Sequence, residues 1–195
     1  MLREDSLNIL RNFISRFLAL DAQVFENFSA NLELVEFNKK QLIVENGKVA
    51  DRMYFLSEGF VRFYHFKPEG SEVTSDFYFA PGFITSFKSF ILQKPSIVNI
   101  QCLEQMSVLS ISHKKLIELY DNFPPIERLG RLLSEQAFIA SEKHLLSFLN
   151  DSPQDRYLWL CNEYPEYIKN IPLQYLASYL GVTPETLSRI RSRTL

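Results

Sequence analysis

Residues 30–112 and residues 124–195 carry their apolar side chains with two different periods, so one layer of structure cannot accommodate both. The first stretch holds short apolar or alternating runs, LELVEF, QLIVE, MYFLSEGFVRFYHF, VTSDFYF, SIVNIQCL and SVLSIS, separated by ENGK, SEG, KPEG and APG. Runs rich in Val, Ile, Phe and Tyr with turn residues at regular intervals predict short antiparallel strands in a sandwich or roll. Ahead of them, Ile9, Leu10, Phe13, Ile14 and Phe17 recur at helical spacing and predict a short amphipathic helix.

After YDNFPP the period becomes helical. Pro124 and Pro125 suit a first helical turn, and IERLGRLLSEQAFIASEKHLLSFLN then continues without another Pro, which predicts the longest helix of the chain. Ile126, Leu129, Leu133, Ala137 and Ala140 form a seam at three- or four-residue steps, while Leu132, Phe138, Ile139 and Leu146 widen the apolar coverage. Two readings stay open for this helix: packing on its own barrel, or sharing with a second subunit. A further helix opens at NDSPQDRYLWLCNEYP, with Ser152 as N-cap, Pro153 at the first position and Asp155 near the positive end.

The last stretch, IPLQYLASYLGVTPETLSRIR, has the pattern of two helices crossing closely. Leu173, Leu176, Ala177 and Leu180 share one face, Gly181 stands where a sharp turn needs a left-handed residue, and Val182 plugs the junction. Thr183 can cap the next helix ahead of Pro184 and Glu185, and Leu187 and Ile190 face back toward the first helix. That is the spacing of a helix-turn-helix. Its outer face holds Glu185, Thr186, Ser188, Arg189 and Ser192, flanked by Arg191 and Arg193. Arg can bond both major-groove acceptors of guanine, Glu can accept from the cytosine amino group, and hydroxyls can bond phosphates.

Composition decides where such binding can originate. With 21 Lys plus Arg against 23 Asp plus Glu, the net charge of −2 supplies no global attraction to nucleic acid, so a local patch must. Cys102 and Cys161 stand far apart with no second Cys at metal spacing, and read as buried reduced thiols of a cytoplasmic protein. The N-terminus is unlike a signal peptide and no apolar run reaches membrane-spanning length. The expected organisation is therefore α+β: an N-terminal helix and antiparallel double-stranded, jelly-roll-like β-roll (1–122), a central dimerisation helix region (123–150) and a helix-turn-helix domain (151–195).

With LIVENGKVADRMYFLSEGFVRFY in the roll, the long central helix and the terminal IPLQYLASYLGVTPETLSRIR, nearly all of the chain resembles the Crp/Fnr family of bacterial transcription regulators. Gly47, Gly59 and Gly82 match turn glycines of that roll. The resemblance implies a homodimer joined along the central helices, with Ile126, Leu129, Leu133, Ala137 and Ala140 at the seam and two recognition helices in successive major grooves. It places Glu185 and Arg189 on base-reading positions and Gln174, Thr183 and Thr186 on positions that usually hold phosphates; from the outer face itself, Ser188, Arg191 and Arg193 complete the expected DNA-binding set. Double-stranded DNA and a second copy of the chain are the expected partners, with RNA polymerase a further candidate and no membrane.

Three departures qualify that implication. Relatives that bind cyclic AMP hold the ribose with a Gly-Glu pair and the cyclic phosphate with an Arg-Ser pair; here Thr85 and Ser86 stand near the first pair, and Pro95 and Ser96 near the second. Without the guanidinium a buried phosphodiester charge is poorly compensated, so binding through the usual pocket is not expected; Lys88 is a lone cation read as a solvated surface residue. The rings of Phe77, Tyr78, Phe79, Phe83, Phe87 and Phe90 either fill the roll or line a pocket for a flat apolar effector. Two isolated cysteines cannot hold an iron–sulfur cluster, and His65, His113 and His144 are scattered, so neither cofactor nor metal nor enzymatic activity is expected. Finally, only five residues follow Ile190, so a β-wing is expected to be reduced or absent. The functional alternative is an effector-binding sensor or adaptor whose helical tail binds protein.

Overall fold

The computed structural model describes residues 2–194, with the side chains of residues 166, 167, 193 and 194 outside the description. The chain forms two compact units, one of Met1–Phe63 with Phe77–Gln136 and the other of Tyr64–Asp76 with Ala137–Leu195.

In the first unit, α1 (Arg3–Ser15) and α2 (Ala22–Ala30) precede the strands β1 (Glu33–Phe37), β2 (Leu42–Val44), β3 (Arg52–Leu56), β4 (Phe60–Phe66), β5 (Glu72–Phe79) and β6 (Gly82–Ile84). A short helix, α3 (Phe87–Leu92), then leads to β7 (Asn99–Cys102), β8 (Met106–Ser112) and α4 (His113–Asn122). The strands make two four-stranded sheets, in the orders β1-β8-β3-β6 and β2-β7-β4-β5. The β1–β8, β3–β8, β3–β6 and β2–β7 pairs are antiparallel, as the alternating runs predict. Strands β4 and β5 run on from this unit into the second, which holds the tip between them, residues 64–76.

Period-two alternation explains how two cores share the middle strands. On β3 and β8, Phe55, Leu109 and Ile111 pack with Leu10, Phe13, Ile14, Phe25, Phe28, Leu116 and Leu119 of the helices. The intervening Tyr54, Leu56 and Val108 pack with Phe37, Ile43, Val61, Ile100 and Met106 inside the roll. Covered on both faces, β8 is buried over residues 106–111.

The N-terminal helix begins earlier than its apolar pattern suggests, at Arg3, because Glu4 and Asp5 favour the first turn. The sequence periods do not predict the helices α2, α3 and α4. They are short, and the first and last start from local caps: Asp21 accepts from the Gln23 amide, and Ser112 accepts from the Lys115 amide directly at the end of β8. The glycines of the roll differ in purpose. Gly47 and Gly59 hold positive φ, whereas at Gly82 the Tyr78 ring occupies the space a Cβ would need.

The long helix is α5 (Pro124–Asn150), 27 residues. Its start belongs to the first unit: Ile126 and Leu129 are buried in that core and Leu133 packs against it. These three members of the expected dimer seam are thus engaged within their own chain, because the seam continues the face that covers the roll. The exposed apolar side chains Phe138, Ile139, Leu145, Leu146 and Leu149 lie on another side of the helix; Ala137 and Ala140 are exposed as well.

The second unit contains the rest of α5, α6 (Pro153–Glu163), α7 (Pro165–Ile168), α8 (Leu173–Leu180) and α9 (Pro184–Thr194), together with the strand tip 64–76. Ser152 caps α6 in a reciprocal box with Asp155, as its sequence predicts. Between α6 and α8 stands α7 and no strand, and α9 extends to residue 194, so no wing is present among the described residues.

Candidate nucleic-acid interface

Local chemistry dictates the joint between α8 and α9. Gly181 adopts φ 70° and ψ 28°, its amide bonds the Ser178 carbonyl, and the Val182 amide bonds the Ala177 carbonyl at 3.0 Å. The second bond spans five residues, the closure that a left-handed residue allows at a helix end. The Thr186 amide then donates to Thr183 Oγ1 at 3.3 Å, and the Leu187 amide bonds the Thr183 carbonyl, which starts α9. Leu176, Leu180 and Leu187 are 0% exposed and Ala177 1%, so the two helices meet on the face the spacing predicts.

On the opposite side, Glu185, Ser188, Arg189 and Ser192 are exposed and Thr186 is half-buried. Arg189 Nη2 donates to Thr186 Oγ1 at 3.2 Å, and Thr183 Oγ1 lies 3.3 Å from the same hydroxyl. Its own backbone amide, then the Thr183 hydroxyl and the Arg189 charge, hold the Glu185 carboxyl below its ordinary value; it remains an acceptor at neutral pH. Gln174 is exposed on α8. Arg191 is half-buried, and its charge partly offsets the burial that raises the pKa of the Tyr157 hydroxyl of α6, so one of the expected phosphate contacts lies close to a side chain of its own unit. The side chain of Arg193 lies outside the described residues.

Other side chains fix this pair of helices within the second unit, and the sequence did not single them out. The Thr74 amide of the strand tip donates to Ser178 Oγ on α8 at 2.9 Å. The Tyr179 hydroxyl is 3.1 Å from His144 Nδ1 of α5, and burial, with the nearby Asp76 charge, pushes its pKa up. Arg156 of α6 is buried and bonds two backbone carbonyls.

The roll presents a different chemistry where a cyclic phosphate would be held. Thr85, Ser86, Ser89 and Ser96 are buried and satisfy one another or the backbone: Thr85 Oγ1 donates to the Arg52 carbonyl, and Ser96 Oγ lies 2.9 Å from Ser86 Oγ and accepts from the Val98 amide. Ser89 Oγ accepts from the Ala50 amide and donates to the Lys94 carbonyl. Lys88 is exposed, as expected. Beside this network, residues of β2, β3 and the loop between them line a cavity of about 150 Å³, below the roughly 300 Å³ at which small-molecule sites begin. Of the six rings read as filler or pocket lining, Phe77 and Phe90 are buried, Phe83 packs on Phe55 and Phe79 on Phe60, whereas Phe87 is exposed. Among the described residues no cluster of three or more His, Cys, Asp or Glu could hold a metal, and no helix is long and apolar enough to cross a membrane.

With this geometry in place, residues 34–123 match the family model described as Cyclic nucleotide-binding domain. No curated protein matches the chain in sequence. Solved structures share the fold over most of its length. The c-di-GMP responsive global regulator CLP of Xanthomonas campestris matches with a TM-score of 0.71 at 16% identity, over 89% of this chain and 91% of that one. FixK2 of Bradyrhizobium japonicum gives 0.70 at 17%, over 83% of each chain. The catabolite activator protein of Thermus thermophilus gives 0.56 at 19%, over 91% and 84%. The chain thus combines a roll of the cyclic nucleotide-binding type with a helical unit, in a fold shared by Crp/Fnr-type regulators.

Proposed function

We propose that the chain is a sequence-specific DNA-binding transcription regulator of Crp/Fnr type, a homodimer that does not respond to cyclic AMP through the usual pocket. The observation that carries this reading is the joint at Gly181. Turn, cap and fully buried Leu187 present Glu185, Ser188 and Arg189 together on the free side of α9. A helix so presented fits the major groove, which is wide enough to admit it.

On this reading Glu185 and Arg189 read bases, and Gln174, Thr183, Thr186 and Ser188 set the register on the backbone. Arg191 and Arg193 join them at the phosphates. The dimer forms along the exposed apolar side of α5, at Phe138, Leu145 and Leu149, while the exposed Ala137 and Ala140 continue the Ile126–Leu133 face. Two copies then address a two-fold site with half-sites about one helical turn, roughly 34 Å, apart. The hydroxyl network of Thr85, Ser86 and Ser96 lacks the cation a cyclic phosphodiester requires, which supports a regulator insensitive to cyclic AMP there. RNA polymerase remains a candidate partner.

Selection of binding sites from random duplex DNA, with and without cyclic nucleotides including c-di-GMP, tests the reading. It predicts enrichment of a symmetric motif whether or not cyclic AMP is present. Recovery of unenriched DNA, with the helical unit instead retaining a protein partner, would establish the adaptor alternative.

A further inference from the structure

Two helix C-termini converge on one guanidinium in the second unit. Arg156, on α6, is 9% exposed. Its Nη1 donates to the Asp151 carbonyl and its Nη2 to the Leu180 carbonyl, each at 2.7 Å. The guanidinium carbon also lies 4.6 Å from the centroid of the Phe148 ring, on α5.

Asp151 directly follows the last residue of α5, to which its amide is tied through the Ser147 carbonyl, and Leu180 is the last residue of α8. Helix C-termini leave carbonyls without intrahelical partners and concentrate partial negative charge there. A cation bonded to both ends therefore compensates both and holds them at a fixed separation, while the aromatic face fixes the plane of the group. Only Gly181, Val182 and Thr183 separate Leu180 from α9, and the turn they form is closed by backbone bonds. Alongside the Tyr179–His144 contact, this side chain thus ties the direction in which α9 leaves to the end of α5, joining the two helix termini themselves.

We infer that Arg156 is a positioning residue that sets the direction of α9 relative to the end of α5 and thereby, in the dimer, the half-site spacing the protein accepts. The inference rests on the DNA-binding reading for its consequence but not for its geometry. Lysine offers a single compact ammonium in place of a planar fork, and glutamine offers no charge, so neither reproduces the paired bonds and the stacking together.

The test compares the full chain with Arg156→Lys and Arg156→Gln on duplexes that carry identical half-sites from the selected motif at the preferred spacing and at one or two base pairs more or fewer. Wild type should prefer one spacing; both variants should lose about five-fold or more of that preference, comparable to one specific base contact, while keeping the base preference that Arg189 confers. A variant that retains the wild-type spacing profile overturns the inference, as does a uniform loss of affinity at every spacing, which would mark Arg156 as stabilising only. If wild type binds no duplex, the DNA reading fails, and amide exchange decides the geometry. Faster exchange at residues 181–183 in Arg156→Gln, with residues 126–133 unchanged, supports the clamp; unchanged exchange at 181–183 overturns it.

Discussion

Arg189 and Thr186 are joined on the free side of α9, Nη2 to Oγ1 at 3.2 Å, and Thr186 is in turn 3.3 Å from the capping hydroxyl of Thr183. The long Arg side chain is thereby drawn back along its helix before any partner arrives. Holding a rotamer-rich side chain in place reduces the ordering cost of a later contact. In the DNA reading, Arg189→Ala relaxes base preference at one position of each half-site and costs about 1–3 kcal/mol. Quantitative binding to the selected motif and its single-base variants checks this. Equal discrimination by wild type and variant would remove Arg189 from base reading.

The apolar back of α9 has a separate consequence. Leu187 is fully buried against α8, so Leu187→Ala should destabilise the second unit by about 2–5 kcal/mol through lost transfer energy and the cavity left behind. Thermal unfolding followed by circular dichroism reads the loss. A change smaller than about 0.5 kcal/mol, the usual range for surface sites, would show that the helices do not pack as described.

On α5, Phe138 and Leu149 are 72% and 71% exposed in the single chain, and an exposed apolar stripe along a helix marks an association surface. Phe138→Glu combined with Leu149→Glu should convert the dimer to monomer in sedimentation experiments while leaving the roll folded. The same pair placed in the core-facing seam, at Ile126 and Leu129, should instead unfold the first unit. A dimer that survives the Phe138 and Leu149 changes would move the interface elsewhere.

In the roll, the Ser86 and Ser96 hydroxyls are buried and bonded to each other. Ser96→Ala removes the acceptor of the Val98 amide and should cost about 1–3 kcal/mol of stability. Calorimetric titration with cyclic AMP should show no heat from either protein in this pocket. A micromolar binding heat from wild type that disappears in Ser96→Ala would show that the hydroxyl network opens to admit the nucleotide.

Burial pushes the Cys102 thiol from its ordinary 9.0 up to about 12. Because the folded pKa lies above the unfolded one, the unfolded chain loses its proton first as pH rises. Stability is therefore unaffected below about pH 9 and declines between that value and about 12. Cys102→Ala should flatten part of this alkaline decline, measured by denaturant titration at pH 8 and 10. Thiol reagents at neutral pH should label the half-buried Cys161 well before Cys102.

The sequence showed most clearly those features whose causes are local. Gly181, the Thr183 cap and the box of Ser152 with Asp155 are each set within a few residues, so composition and spacing suffice to find them. The alternating runs of β3 and β8 likewise reveal strands, and full burial of β8 follows once both faces have neighbours. Period alone could not tell which of the two apolar sides of α5 turns inward; that depends on the roll core formed around Phe55 and Leu109. The role of Arg156 leaves no local pattern for a related reason. One of its partners is a backbone carbonyl 24 residues away, and carbonyls leave no mark in side-chain patterns.

The central claim is that this acidic chain meets DNA through one basic, specifically presented helix. Equilibrium binding of the chain to its selected duplex across a range of salt concentrations tests it most directly. The account predicts that log affinity falls linearly with log salt, with a slope of about −0.9 for each phosphate neutralised, and that a scrambled duplex of equal length binds far more weakly at every concentration. Affinity that is independent of salt, or equal for the two duplexes, would contradict it.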